Sequence, residues 1–353
     1  MTQSNTPPKF LLVKLSSLGD VIHNLPIVWD IRRQYPDAQI DWVVEEAYVD
    51  LLKPLQTRPD FKGVDRIISI GLRRWKRNIF KPQNWRELLQ FIRTLRAKKY
   101  DEIIDSQGLL KSAIVARLAR KAPHGKVTGL ANATQYSGYE PLARTFYNES
   151  VQVPKQCHAV DRSRYLLSSA ISIPLIDRTY SADFYPRQRI EGLINSPDQG
   201  ALLGMGEVQK PYVLCFHATA REAKKWSGAN WITVGEHLVK KGFTPIFPWG
   251  NLAEKKVSQE IISHVPGAIV PNAYSIQEYF QIITEASLSI GVDTGLTHLS
   301  AVLKRPTIEI YCDSPLWKTE GYWSSNIINL GDIGQPPSAA SVIQAIDLLL
   351  PTH

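Results

Sequence analysis

A chain of 353 residues with 44% hydrophobic composition can bury a large core, and its length suits two domains of ordinary size better than one oversized domain. Cys157, Cys215 and Cys312 are odd in number, far apart and in no CxxC pair, which excludes a disulfide framework or a structural zinc site and leaves them as packing residues. The net charge of +8 hides an asymmetry: residues 1–180 hold 28 Lys/Arg against 17 Asp/Glu, net +11, whereas residues 181–353 hold 13 against 16, net −3.

The first apolar run is only Phe10, Leu11, Leu12 and Val13, ending at Lys14. It is too short for a signal-peptide core or a membrane span, so a cytoplasmic protein is expected. Short aliphatic runs follow in order: FLLVKL, IDWVVEE, RIISIG and YDEIIDS in front, then YVLCFHA, TPIFPWG, LSIGVD and TIEIYC behind. Between them, residues 20–33, 85–98, 109–120, 230–241, 275–286 and 296–303 place apolar side chains at helical spacing. This alternation predicts an α/β protein with parallel sheets covered by helices. It pauses between about residues 173 and 211, where Pro, Gly and Ser accumulate, and the domain junction is placed there. The expected division is a first domain over 1–180, a linker over 181–210, a second domain over 211–335, and a terminal segment over 336–353 with a helix at 338–350. In doubly wound sheets ligands collect at the carboxyl ends of the strands, so two facing sheets would put the site in the cleft between the domains.

Residues 72–99 hold ten basic residues and one acid, Glu87, interleaved with Trp75, Ile79, Phe80, Trp85 and Phe91. Such a stretch is either a solvated basic helix lying over the core or a surface that attracts polyanions: nucleic acid, an anionic leaflet or a phosphorylated lipid.

Three strand ends could carry chemistry. After the first strand, VKLSSLGDVIHNLP lacks the GxGxxG of a dinucleotide site, and Asp20 stands either as a helix cap or, if it faces the cleft, as a base for an attacking hydroxyl. In CFHATAREAKKW a strand ends at His217, and Thr219, Arg221, Lys224 and Lys225 can hold a diphosphate. His217 itself reads as a core residue, and the eight histidines form no zinc-type pair, so no metal is predicted. In SLSIGVDTGLTHLSA a buried strand ends at Asp293, Thr294 and Gly295 open a helix whose free amides suit phosphate, and His298 lies one turn inside. Capping explains Asp293 and Thr294 as well.

The motifs VKLSSLGDVIHNLP, DWVVEE, LRRWKR, IDSQGLLKSA, HGKVTG, EPLARTFYN, HAVDR, FHATAREAKKW, PWGN and VDTGLTHLSA, in that order along nearly the whole chain, resemble the lipopolysaccharide heptosyltransferases of glycosyltransferase family 9, closest to the heptosyltransferase I type. The resemblance implies a GT-B fold of two Rossmann-like domains, with the last helix packing back on the first domain. It also implies inverting, metal-free transfer of L-glycero-D-manno-heptose from ADP-heptose to Kdo-lipid A, with no further cofactor, by a peripheral enzyme on the cytoplasmic face of the inner membrane. Residue by residue, Asp20 would be the base, with Lys14 and Ser16 facing the acceptor. Thr219 and Lys224 would bind the diphosphate and Glu254 the ribose. Asp293 would hold heptose, Thr294, Gly295 and Leu296 would offer amides to phosphate, and His298 belongs to the same signature. Arg73, Arg74, Lys76 and Arg77 would grip acceptor phosphates or the bilayer.

Ala220 departs from the family pattern by lacking a phosphate-contacting hydroxyl, and YCDSP replaces the usual YGPT. The alternatives are a heptosyltransferase II-type enzyme with a heptosylated acceptor, a basic nucleic-acid-binding protein, and a nucleotide-sugar epimerase or NAD-dependent oxidoreductase. No helix-turn-helix, RNP or zinc-finger pattern supports nucleic-acid binding, and the absent glycine fingerprint disfavours the oxidoreductase.

Overall fold

Every aliphatic run singled out in the sequence is a strand, and three further strands complete the set in a computed structural model that describes residues 6–77, 81–175, 185, 190 and 211–351. The strands are β1 (Lys9–Val13), β2 (Gln39–Glu45), β3 (Arg66–Ile70), β4 (Lys99–Asp105), β5 (Arg120–Leu130), β6 (Glu149–Val151), β7 (Tyr212–Phe216), β8 (Thr244–Ile246), β9 (Leu288–Val292), β10 (Thr307–Tyr311) and β11 (Ile327–Gly331). All pair in parallel within two sheets, ordered β3-β2-β1-β4-β5-β6 and β11-β10-β9-β7-β8. The first order is the doubly wound dinucleotide-fold order; the second, counted from its own first strand, is 2-1-3-4-5, the flavodoxin-like variant of the same scheme. β7, β9 and β10 are buried along their whole length, as uninterrupted apolar strands are when helices cover both faces.

The chain clusters into two units, Met1–Phe184 and Tyr185–His353. Of the expected linker over 181–210, only Tyr185 and Ile190 lie among the described residues. In the first unit the single helix read over 20–33 is two helices, α1 (Leu18–His23) and α2 (Pro26–Gln34). Pro26 has no amide hydrogen to give and is tolerated only at the first turn, so the chain restarts there. The unit continues with α3 (Val49–Leu52), α4 (Leu72–Arg77), α5 (Pro82–Leu95), α6 (Leu110–Leu118) and α7 (Ala159–Ile171). Phe91 and Leu95 of α5 and Val115 and Ala116 of α6 pack on Leu11, Val13, Val43 and Ile103. α2 and α7 are tied by a buried pair in which Arg164 Nε and Nη2 donate to the two Asp30 carboxylate oxygens at 2.9 and 3.0 Å. Removing one partner of such a pair costs about 3–5 kcal/mol, because the other charge is left uncompensated.

The second unit holds α8 (Gly228–Lys240), α9 (Leu252–Ser263), α10 (Ile276–Glu285), α11 (Gly295–Val302), α12 (Leu316–Thr319) and α13 (Ala339–Leu349). Its core joins Val213, Cys215, Ile290 and Ile308 of the sheet to Trp231, Val234 and Leu238 of α8. Val342, Ala345 and Ile346 of α13 belong to this same core. The last helix is therefore built into the core of the second unit, with its apolar stripe at i, i+3, i+4 meeting β10, β11 and α8.

Candidate active site

In each sheet the strand order reverses direction once, between β1 and β4 in the first and between β7 and β9 in the second. A crevice opens at such a switch point because the connections leave toward opposite faces. The chemistry-bearing residues of each unit stand at these two places.

In the first unit Val13 is in register with Val43 and Asp105, so the chain leaves β1 and β4 side by side. Lys14 is buried, and its ammonium donates to the Ser106 carbonyl at 3.3 Å and lies 3.9 Å from Asp20 Oδ1. Ser16 is buried as well, its Oγ accepting from Gln107 Nε2 at 3.4 Å and Lys111 Nζ at 3.3 Å. Ser17 caps α1, and Asp20 stands at the third helical position with Oδ2 accepting from the Ser17 amide and hydroxyl, each at 2.9 Å. Asp20 is thus a cap partner and an exposed carboxylate at once, for among the described residues Oδ1 is engaged only by the distant Lys14. Desolvation would raise its pKa, but Lys14, the two Ser17 hydrogen bonds and Arg162 outweigh it and hold the carboxyl below the usual aspartate value.

Residues of this cluster that the sequence did not single out come from the β4 loop and beyond. Gln107 Oε1 accepts from the Leu15 amide at 2.8 Å, fixing the strand-one loop. Asp105, fully buried, accepts from the Gln107 and Gly108 amides, from Ser112 Oγ at 2.8 Å and from Tyr147 OH at 2.7 Å, yet burial still leaves its carboxyl raised. Arg162 of α7 reaches the Gln107 and Gly138 carbonyls with Nη2, while its Nε and the Tyr139 hydroxyl have no hydrogen-bond partner among the described residues. Gly108 has φ +74°, and a Cβ there would meet Leu130 Cδ1 at 3.0 Å and Tyr139 Cδ2 at 3.3 Å, so the turn that aims this loop needs glycine.

The basic segment divides. Arg74 donates to both oxygens of Glu46, at 3.0 and 2.9 Å, and pairs with Glu87 at 2.7 Å, ion pairs that fasten α4. Arg73 lays its guanidinium over the Tyr48 ring, 5.4 Å from the centroid, and Lys76 and Arg77 are exposed.

In the second unit β7 ends at His217, buried, with Nε2 2.7 Å from Ser258 Oγ; burial and Lys225 push its pKa down to about 4, so it is a neutral core histidine. Thr219 is half-buried on the following turn. Lys224 donates to Asp293 Oδ2 at 2.5 Å, with one of the three donors its ammonium carries. Asp293 accepts four donors in all, Lys224 and Ser314 on Oδ2 and His298 and Thr319 on Oδ1. That saturates the lone pairs of a carboxylate expected to hold a sugar. Desolvation opposes ionisation there, but His298 and Lys224 hold the carboxyl well below the aspartate value.

His298 is buried with Nε2 2.9 Å from Asp293 and Nδ1 3.1 Å from Glu309. Both ring nitrogens face carboxylates, so both must donate. Burial disfavours the cation, yet Glu309 and Asp293 raise its pKa to about 9. Glu309, with no exposure, also accepts from Tyr311 OH at 2.6 Å and the Gly321 amide at 2.9 Å. Thr294, Gly295 and Leu296 are half-buried at the start of α11, where no side chain caps the amides. Gly291 lets that start press on the sheet, since a Cβ would sit 2.1 Å from Thr297 Oγ1. Glu254 Oε2 accepts from the Gly250 amide and Oε1 from Asn251 Nδ2, both at 2.7 Å. The unusual YCDSP segment serves this site: Ser314 bonds Asp293, and Asp313 pairs with Arg221 at 2.7 Å. A cavity of 710 Å³ at the start of α8 includes Lys225 and His264 but none of Thr219, Lys224, Asp293 or His298, and is not where this chemistry is gathered.

The family model for glycosyltransferase family 9 (heptosyltransferase) matches residues 88–344. The chain is 33% identical over 320 residues to lipopolysaccharide heptosyltransferase 1 of Pseudomonas aeruginosa, covering 90% of this chain and 82% of that one. Among solved structures, E. coli heptosyltransferase WaaC with ADP is similar at TM-score 0.77 and 29% identity, covering 97% of this chain and 99% of that one. The same enzyme with ADP-2-deoxy-2-fluoro heptose is similar at 0.72 and 29%, over 96% and 99%.

Proposed function

Because the chain belongs to glycosyltransferase family 9, the heptosyltransferases, and carries its two doubly wound sheets, we propose that it moves heptose from ADP-heptose to Kdo-lipid A, with Asp20 as the base. The observation that carries this assignment is the Asp20 carboxylate itself, held ionised by Lys14 and Ser17 with Oδ1 open at the first switch point. An acceptor hydroxyl donates to Oδ1 and passes its proton there as its oxygen bonds to the anomeric carbon, while the bond from that carbon to the ADP oxygen breaks. Because the Asp20 pKa is low, the proton moves late, as the hydroxyl becomes acidic in the transition state. Attack on the side opposite the leaving group inverts the carbon.

On the donor side the amides of Gly295 and Leu296 at the uncapped start of α11, with the Thr219 hydroxyl, meet the diphosphate charge as ADP departs. The Lys224 and His298 cations stand behind Asp293 and lower the cost of bringing the anion there. Glu254 receives the ribose hydroxyls after release of its Gly250 contact. No separate metal or cofactor is assigned a step, and full turnover in a chelator is the expected result. Among the described residues no helix is long and apolar enough to cross a membrane; attachment to the inner leaflet is assigned to the basic surface of the first unit.

The test is ADP release from ADP-heptose with and without Kdo-lipid A, using wild type and Asp20→Asn. Acceptor-dependent release that the variant abolishes supports donor, acceptor and base together. Release only with a heptosylated acceptor would transfer the chain to the second-heptose reaction.

A further inference from the structure

Helix α5 carries two apolar stripes where packing in the first unit uses one. Phe91 and Leu95 are buried in the core, with Leu88 and Ile92 packed partly against it. Trp85 and Leu89, one turn apart, are instead 55% and 56% exposed. Helix geometry puts Arg86 and Arg93 within about 60° of Leu89 around the axis, and Glu87 about 160° away. Both arginines are exposed and neither makes an ion pair with the described residues. Glu87, the one acid of the basic segment, is turned aside onto Arg74, Trp75 and Gln83. The outward stripe is therefore apolar at its centre, cationic along its flank and free of negative charge.

We propose that Trp85 and Leu89, flanked by Arg86 and Arg93, dock the first unit on an anionic lipid surface. The chemistry is that of an interfacial helix: an indole at headgroup depth, a leucine at the acyl boundary and guanidinium groups on lipid phosphates. A nucleic acid would account for the arginines and could stack on Trp85, but it leaves Leu89 without a role. The net +11 of the first 180 residues supplies the long-range attraction. The inference rests on the lipid-linked acceptor proposed above.

The experiment is co-sedimentation of the full chain with vesicles of phosphatidylcholine alone and of phosphatidylcholine mixed with phosphatidylglycerol, over a salt series. Wild type sediments with the anionic vesicles, and the bound fraction falls as salt rises. Trp85→Ser with Leu89→Ser lowers the partition constant at least about tenfold, while Arg86→Gln with Arg93→Gln flattens the salt dependence. All four positions are exposed, so unchanged melting temperatures and unchanged turnover on a delipidated, water-soluble Kdo acceptor separate lost docking from lost folding. No sedimentation of wild type with anionic vesicles, or a serine pair that sediments like wild type, overturns the docking surface. No transfer to the soluble acceptor, with vesicle binding and its Trp85 and Leu89 dependence intact, removes the acceptor assignment and leaves the surface standing.

Discussion

The two switch points of this molecule each present an aspartate just past a strand, and they treat it in opposite ways. Asp20 leaves its side chain 49% exposed, with one oxygen on Ser17 and the other 3.9 Å from Lys14. Asp293 is 6% exposed, with both oxygens taken by four protein donors. Both carboxyls are held below the usual aspartate pKa, so ionisation does not distinguish them. What distinguishes them is unfilled accepting capacity at an accessible oxygen. A carboxylate that must take a proton needs such an oxygen, whereas one that must hold two cations in place needs none.

The largest expected effect follows from that difference. Asp20→Asn keeps an oxygen for the Ser17 amide and removes the proposed proton acceptor, so turnover should fall by about 10²- to 10⁴-fold, with donor affinity and melting temperature near wild type. Steady-state rates and ADP titration check both halves. Asp293→Asn should do the reverse and act first on stability. Part-buried Lys224 would lose its carboxylate partner and His298 would keep only Glu309, at a cost of up to about 3–5 kcal/mol in denaturant unfolding, together with weaker ADP binding. If Asp293→Asn unfolded like wild type and lost only turnover, the roles of the two carboxylates would have to be exchanged.

Asp20 and Asp293 were legible in the sequence because each follows a continuous aliphatic run and opens a helix, a local pattern that needs no partner to be seen. Gln107, Lys111 and Arg162 were not, since Gln107 and Lys111 meet the strand-one loop only through the adjacency of β4 to β1, about ninety residues away for Gln107, and Arg162 joins them through the Gln107 carbonyl. Knowing the doubly wound order would have pointed to the residues after YDEIID. Ser314 and Glu309 were hidden likewise, the latter as a lone acid inside the apolar TIEIY, where a fully buried carboxylate signals a partner that the sequence does not name. For the fold, β5 escaped because only its last four residues are buried and Pro123 and Gly125 interrupt it beside a register shift. Helix α7 lacked an aliphatic run before it to announce a βαβ unit.

Glu309 offers the third and subtler way to sharpen the comparison. His298 has its folded pKa raised to about 9, so its charge contributes stability that is full below the ordinary histidine value and is lost as pH rises through about 9. Glu309→Gln removes one of the two carboxylates that hold the proton. The alkaline fall in stability, and in kcat/KM for the donor, should then begin at lower pH, while behaviour near pH 6 changes little. With Asp20 as the proposed base, its lowered pKa keeps it ionised into the acidic range, and Glu309→Gln should leave the acid limb where it is.

The smallest effects test the division within the basic segment. Arg74 is bound to Glu46 and Glu87, but all three side chains are near one-third exposed or more, so Arg74→Gln should cost under about 1 kcal/mol and leave acceptor KM unchanged. Arg77 stands exposed on the same helix, and each such cation near an anionic surface contributes about 1 kcal/mol. Arg77→Gln should therefore raise acceptor KM about fivefold at low salt, with kcat and stability intact, and the difference should shrink as salt screens the surface. Equal KM effects from the two substitutions would mean that Glu46 and Glu87 release Arg74 when acceptor arrives, making that ion pair a latch and the basic segment a single binding unit.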